Sequence, residues 1–396
     1  MPQLSSGGLA RLHEALANHV ASGAVPGLVA GVSRRGETHV LVLGAQSLGG
    51  PPMRRDSIFR IASMTKPIAA AAVMILVEDC VLRLDDPVDG LLPELASRRV
   101  LRALESPVDD TVPARRPITL RDLLTFRSGH GLLMAPRGTY PIQGAIESAG
   151  LSPGPDSLPM TPDEFMKRIG SLPLVAQPGE RWLYHTGSEV LGVLVARASG
   201  QSFGAFLAER IFEPLGMADT GFWVPAEKLG RLTSSYTGGA RANSLEPADD
   251  ARASRYAAPP RFESGGGGLV STVDDYLAFL RMMLAHGSGN GRRILSRASV
   301  ELMTRNHLSP AQRAAAPFFF GEGAGWGFGM RVFMERSDVW ASPGRFGWDG
   351  GRGTTGHADP AEGLADVLLT QRHMESPLAP RTFTDFWTST YRALDD

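Results

Sequence analysis

The 396-residue chain has a single cysteine, Cys80, which falls in an apolar stretch, so neither an intrachain disulfide nor a cysteine-based metal site is available. Net charge is also missing. Forty basic against forty-one acidic residues leave a formal −1, which gives no electrostatic footprint for nucleic acid or an anionic membrane. The longest apolar run, residues 68–77, falls well short of the roughly 18 residues of a membrane span. The first twenty residues show no basic segment followed by an apolar core, and Leu9, Leu12, Leu16 and Val20 fall instead on one face of an amphipathic helix. The expectations are a reducing, cytoplasmic location and a small neutral partner, with oligomeric state left open. Lysine is scarce: Lys66, Lys167 and Lys228 stand among thirty-seven arginines, so each lysine bears inspection.

What is present is a globular composition, 43% hydrophobic and 20% charged, in a chain longer than one compact unit. Two lobes are expected. Residues 27–33 (GLVAGVS) and 38–44 (THVLVLG) are apolar runs around a short polar turn, the pattern of a β-hairpin. Residues 57–61 form a further short strand, and Pro67 predicts a helix starting at about Ser63 and running through an Ala-rich segment. The middle of the chain reads as helices with capping boxes at Thr119/Asp122, Thr161/Glu164 and Ser271/Asp274. Between them lie long polar or Gly/Pro-rich stretches, 128–159 and 234–268, the second ending in Gly265, Gly266, Gly267 and Gly268. Strand texture returns at 326–333, 344–348, 354–357 and 363–370, before a last helix over 382–394. Strands at both ends around a helical middle predict an α/β (α+β) protein with one sheet built from the two termini. Residues 1–80 and 262–396 would form the sheet domain, and residues 81–261 an inserted helical lobe.

Ser63-Met64-Thr65-Lys66 places a hydroxyl and an amine one helical turn apart on the same face, within hydrogen-bonding reach. A lysine whose pKa is lowered by burial near other cations accepts the serine proton, and a helix N-terminus favours alkoxide and leaves N–H groups for an oxyanion. The bland alternative is a capping serine with a solvated lysine, but residues 69–77 make the helix apolar all round. Tyr184-His185-Thr186 follows a turn, where a tyrosine beside a cation carries a proton; the alternative is a core tyrosine. The segment 347–353 (GWDGGRG) ends a strand and allows close backbone approach to a ligand, or is simply a glycine-rich turn. Gly200-Gln201-Ser202-Phe203-Gly204 matches the G-x-S-x-G elbow but follows a helix, so Ser202 reads as an N-cap. The nine histidines show no ligand spacing, and no metal is suggested.

In order, Ser63-x-x-Lys66, Tyr184-x-Thr186 and Trp348-x-Gly350 resemble the three motifs of the serine β-lactamase and DD-peptidase superfamily, with greatest likeness to class C β-lactamases and family VIII carboxylesterases. The likeness extends to 59–62, 119–129, 178–198, 211–222 and 265–276. The resemblance implies an antiparallel sheet flanked by helices, with the site in the cleft against the helical lobe. It implies Ser63 as acylated nucleophile, Lys66 as base, Tyr184 as proton relay, and Ser63 and Gly351 N–H groups as the oxyanion hole, with Trp348 beside the substrate. No cofactor is implied. Two departures bear on substrate. The third motif of lactamases and peptidases begins with a cation, whereas Trp348 has an apolar face and one donor, and Thr186 replaces an Asn amide. Both favour uncharged, short-acyl esters over β-lactams, D-amino-acid peptides or amides, with Arg352 as a possible substitute cation. Transfer of the acyl group to an alcohol is a variant of the same chemistry. A catalytically silent binding protein predicts loss of serine, lysine or tyrosine, and all three are present.

Overall fold

Residues 27–44 form the hairpin that their pattern predicts: strands β1 (Gly27–Arg34) and β2 (Glu37–Gly44) flank Arg35 and Gly36, both with positive φ. That pair of left-handed residues gives the turn whose twist matches the strands. The computed structural model describes residues 3–154, 158–239 and 244–395. Parts of the two long stretches, 155–157 and 240–243, lie outside the described residues.

The remaining strands of the main sheet are β3 (Ala324–Trp326), β4 (Arg331–Phe333), β5 (Phe346–Gly350), β6 (Thr354–Asp359) and β7 (Leu364–Thr370). The seven strands run antiparallel in the order β3-β4-β5-β6-β7-β1-β2, so the two ends of the chain meet where β1 pairs with β7. The single strand expected over 326–333 is instead a hairpin turning through residues 327–330. Gly329, at φ +72°, takes the left-handed conformation of the turn, and a Cβ there would lie 2.7 Å from the Lys66 carbonyl oxygen.

Five helices position the rest: α1 (Ser6–Ala21), α2 (Thr65–Glu78), α3 (Thr186–Ser199), α4 (Val273–Leu284) and α5 (Arg381–Arg392). Successive β1 side chains point to opposite faces of the sheet. Leu28, Ala30 and Val32 join Leu12 and Leu16 of α1 and Phe383, Phe386 and Trp387 of α5 on one face. Val29 faces the other way, into the larger core that contains Val273, Leu277 and Leu280 of α4. Gly31 admits α4 closely, since a Cβ there would sit 2.6 Å from Val273 Cγ2. Each fully buried Leu, Val or Phe of these layers contributes roughly 1.5–3 kcal/mol of transfer free energy.

Helix α2 is buried from Thr65 through Leu76, as an all-apolar helix must be, and Cys80 lies exposed just past its end. The capping boxes at Thr119 and Thr161 are both formed. The third is not formed at Ser271: Thr272 is the N-cap instead, its side chain accepting the Asp275 N–H at the start of α4. Ser271 still belongs to a short strand pairing with Phe59, and its hydroxyl is engaged by Thr220 at 2.8 Å.

Candidate active site

Ser63 does not open α2 directly but sits in a 3-10 turn, Ala62–Met64, that leads into it. Ala62 has φ +44°, a left-handed conformation for a residue with a Cβ, and so marks a constrained turn immediately before the serine. The surroundings over-determine it. Thr354 Oγ1 donates to the Ile61 carbonyl at 3.2 Å, and Tyr276 of α4 donates to the Met64 carbonyl at 3.0 Å. Gly350 lets β5 press onto the same turn, because a Cβ there would lie 2.3 Å from the Ile61 oxygen. The sheet, α2 and α4 therefore jointly fix where Ser63 points.

Lys66 lies one turn on, fully buried, and its Nζ donates to Ser63 Oγ at 2.9 Å and to the Gly266 carbonyl at 2.5 Å. Burial pushes the amine down to about 7, against the opposing attraction of Glu189. The expected cause was only half right. Desolvation lowers the lysine, but its charged neighbour is a carboxylate rather than another cation.

Tyr184 lies across from this pair, with Lys66 Nζ 4.7 Å from its ring centroid. Burial raises the phenol, while hydrogen bonds from Ser63 and Trp348 pull the other way. The Trp348 bond is direct: its Nε1 donates to the Tyr184 hydroxyl at 2.6 Å. Both rings belong to an aromatic wall. Trp348 meets Trp326 at 4.8 Å and near-perpendicular planes, and Tyr184 meets Phe319 at 5.0 Å. Edge-to-face and tilted pairs of this kind fix ring positions as well as burying area. A cavity of about 360 Å³ opens onto Ser63, Tyr184, His185, Phe319, Trp348 and Gly351.

Of the eight residues expected at the site, the structure brings Ser63, Lys66, Tyr184, Trp348 and Gly351 together. Three are placed differently. Gly350 does not line the cavity but serves the close contact with Ile61 described above. Thr186 starts α3 behind the tyrosine, its N–H donating to the Tyr184 carbonyl at 3.2 Å, and does not line the cavity either. Arg352 is turned away: its guanidinium stands 2.6 Å from His373 Nε2, so it is not the substitute cation. Ser202 is an N-cap, accepting the Ala205 N–H at 3.2 Å, and neither Lys66 nor Tyr184 shares its surroundings.

Sequence reasoning missed His185 and Glu189. The imidazole Nδ1 is 3.3 Å from Lys66 Nζ, and Nε2 is 3.0 Å from Glu189 Oε1. Their spacing, i and i+4 at the start of α3, was the available signal. Gly266 was noted only as part of a glycine run; a Cβ there would lie 2.6 Å from Glu189 Oε1, so glycine is required for its carbonyl to reach Lys66.

A family model described as Beta-lactamase matches residues 12–384. The chain is 38% identical over 333 residues to Protein Rv1367c of Mycobacterium tuberculosis, covering 81% of this chain and 79% of that one. It is 32% identical over 380 residues to Esterase EstB of Burkholderia gladioli, covering 90% and 88%. Among solved structures, EstCE1, described as a hydrolase with promiscuous acyltransferase activity, superposes with a TM-score of 0.80 at 23% identity, over 97% of this chain and 98% of its own.

Proposed function

The chain belongs to the β-lactamase family and has an esterase among its relatives, and from that premise we propose that it is a serine hydrolase cleaving small, short-acyl carboxylic esters through an acyl-enzyme on Ser63. The observation that carries this reading is the Lys66 amine 2.9 Å from Ser63 Oγ, at the edge of a cavity walled by Tyr184 and Trp348. A lysine at about 7 is substantially neutral at physiological pH and takes the hydroxyl proton as Oγ forms its bond to the ester carbonyl carbon. The carbonyl oxygen becomes an oxyanion facing the N–H groups of Ser63 and Gly351. Collapse breaks the bond to the alkoxide, and Tyr184, held protonated by its raised pKa, supplies the proton to that leaving oxygen. The Trp348 N–H stabilises the phenolate so formed, and the Lys66 ammonium, whose Nζ lies 4.7 Å from the Tyr184 ring centroid, gives up its proton to restore the phenol and its own neutral amine. Water then attacks the acyl-enzyme by the same steps in reverse.

The lining favours an uncharged ester over a carboxylate-bearing lactam. Among the described residues that line the cavity none is lysine or arginine, whereas Asp349 and Glu375 are both there. A substrate carboxylate would find no cationic side chain in that lining. Acyl transfer to an alcohol uses the same acyl-enzyme and differs only in the second nucleophile. Hydrolysis of several esters of one acid in the presence of added methanol tests the route. A common acyl-enzyme partitions between acid and methyl ester in one ratio for every leaving group, and ratios that change with leaving group contradict it.

A further inference from the structure

We propose that His185, held by Glu189, is a positioning residue that aims the Lys66 amine at Ser63, an inference that rests on the acyl-enzyme reading above. A neutral amine has two hydrogens and one lone pair, and it works as a base only when the lone pair faces the proton it takes. Lys66 Nζ has three polar neighbours: the Gly266 carbonyl at 2.5 Å, His185 Nδ1 at 3.3 Å and Ser63 Oγ at 2.9 Å. The carbonyl only accepts. If Nδ1 also accepts, an amine that has given up the proton it donates to Ser63 Oγ keeps its two remaining hydrogens on these acceptors, and the lone pair faces the serine hydroxyl.

Glu189 decides that Nδ1 accepts. A carboxylate offers no proton, so His185 Nε2, 3.0 Å from Glu189 Oε1, carries the ring hydrogen and Nδ1 carries the lone pair. Burial first, and the Lys66 charge second, lower the imidazole and keep it neutral. Glu189 is itself fixed: Ser264 Oγ donates to Oε1 at 2.7 Å and the Gly266 N–H to Oε2 at 3.3 Å. Burial would push its carboxyl up, but the bonds from His185 and Ser264 hold it below the ordinary value. Gly266 thus ties both ends of the chain, its N–H on Glu189 and its carbonyl on Lys66. His185 has φ +83° and ψ −63°, a backbone conformation unusual for any residue with a side chain, and its ring reaches the cavity wall. The titratable groups facing Lys66 are Tyr184 and His185 from the turn and Glu189 from α3, while Asp349 of β5 and Arg331 of β4 face Tyr184 from the sheet.

The test is the rate at which a fluorophosphonate labels Ser63, followed by intact mass and peptide mapping from pH 5 to 10, because this probe needs no knowledge of the natural ester. The wild-type rate rises through about pH 7. Glu189→Gln removes the charge that supports the lysine's proton, so its acid limb moves to lower pH by about one unit. His185→Asn keeps an acceptor near the place of Nδ1 and tolerates positive φ, and stays within about tenfold of wild type. His185→Leu loses about 100-fold or more. Should Glu189→Gln fail to fold, the Asn and Leu pair at position 185, matched for melting temperature, decides. Folded variants with wild-type rates and limb, or Asn as slow as Leu, overturn the positioning role while Ser63 remains labelled. A wild-type protein labelled elsewhere, or not at all, overturns the acyl-enzyme reading and this inference with it.

Discussion

Trp348 Nε1 donates to the Tyr184 hydroxyl at 2.6 Å, which makes the tryptophan a hydrogen-bond donor to the proposed proton relay as well as a wall of the cavity. Trp348→Phe keeps an aromatic ring against Trp326 and Phe319 and removes the donor together with part of the indole's packing. We expect kcat on a p-nitrophenyl ester to fall roughly 10–100-fold with KM little changed, since the bond matters most when phenolate forms. Equal loss in KM would place the tryptophan in substrate binding instead.

Ser63→Ala and Lys66→Ala are each expected to lose several orders of magnitude in kcat, and the double variant about as much as either single one, because nucleophile and base act as a unit. Ser202→Ala is expected to keep full activity, since its hydroxyl only caps the helix Phe203–Leu207. Steady-state assays of the four proteins check both statements.

The buried lysine has a thermodynamic signature. Its folded pKa, about 7, lies below the ordinary 10.5, so between those values the unfolded chain binds more protons and stability rises with pH. Lys66→Met abolishes that contribution. The stability of the variant relative to wild type is therefore greatest below pH 7 and shrinks as pH rises toward 10, by a few kcal/mol in total. Denaturant titrations at pH 6 and pH 9.5 measure it, and a pH-independent difference would mean that the lysine keeps an ordinary pKa.

Gly350→Ala tests the contact that seats the serine. A Cβ at this position meets the Ile61 carbonyl and Thr354 Oγ1 at 2.3 and 2.2 Å, and both lie on the frame that holds the Ser63 turn. Activity is expected to fall by about 100-fold or more, with a smaller relative change in substrate affinity. A crystal structure of the variant would show the turn displaced away from β5.

Much of this architecture was legible because the relevant signals are local. The hairpin of β1 and β2 follows from alternating apolar residues around Arg35-Gly36, and α2 from an apolar run that begins at a proline near its first turn. The Ser63 and Lys66 pair was legible for the same reason, being one helical turn apart. What sequence did not disclose depends on contacts between distant segments. Arg352 read as a cation in the right motif, but whether it faces the cavity depends on His373, 21 residues on. The lysine's partners His185 and Gly266 lie more than a hundred residues away, and only folding shows that they share one buried pocket. The hairpin 324–333 reads as one strand because its turn glycine, Gly329, is one of three glycines in the segment and only the folded backbone gives it φ +72°.

The proposed function stands or falls on whether Ser63 is acylated by an ester and not by a lactam. A p-nitrophenyl acyl series and a chromogenic cephalosporin should be assayed side by side, with rapid acid quench, intact mass and peptide mapping of the wild type and Ser63→Ala. We expect fast turnover of short-chain esters, negligible lactam cleavage, and an acyl adduct on the peptide carrying Ser63 that is absent from the variant. Rapid lactam turnover, an adduct on another residue, or full esterase activity in Ser63→Ala would contradict it.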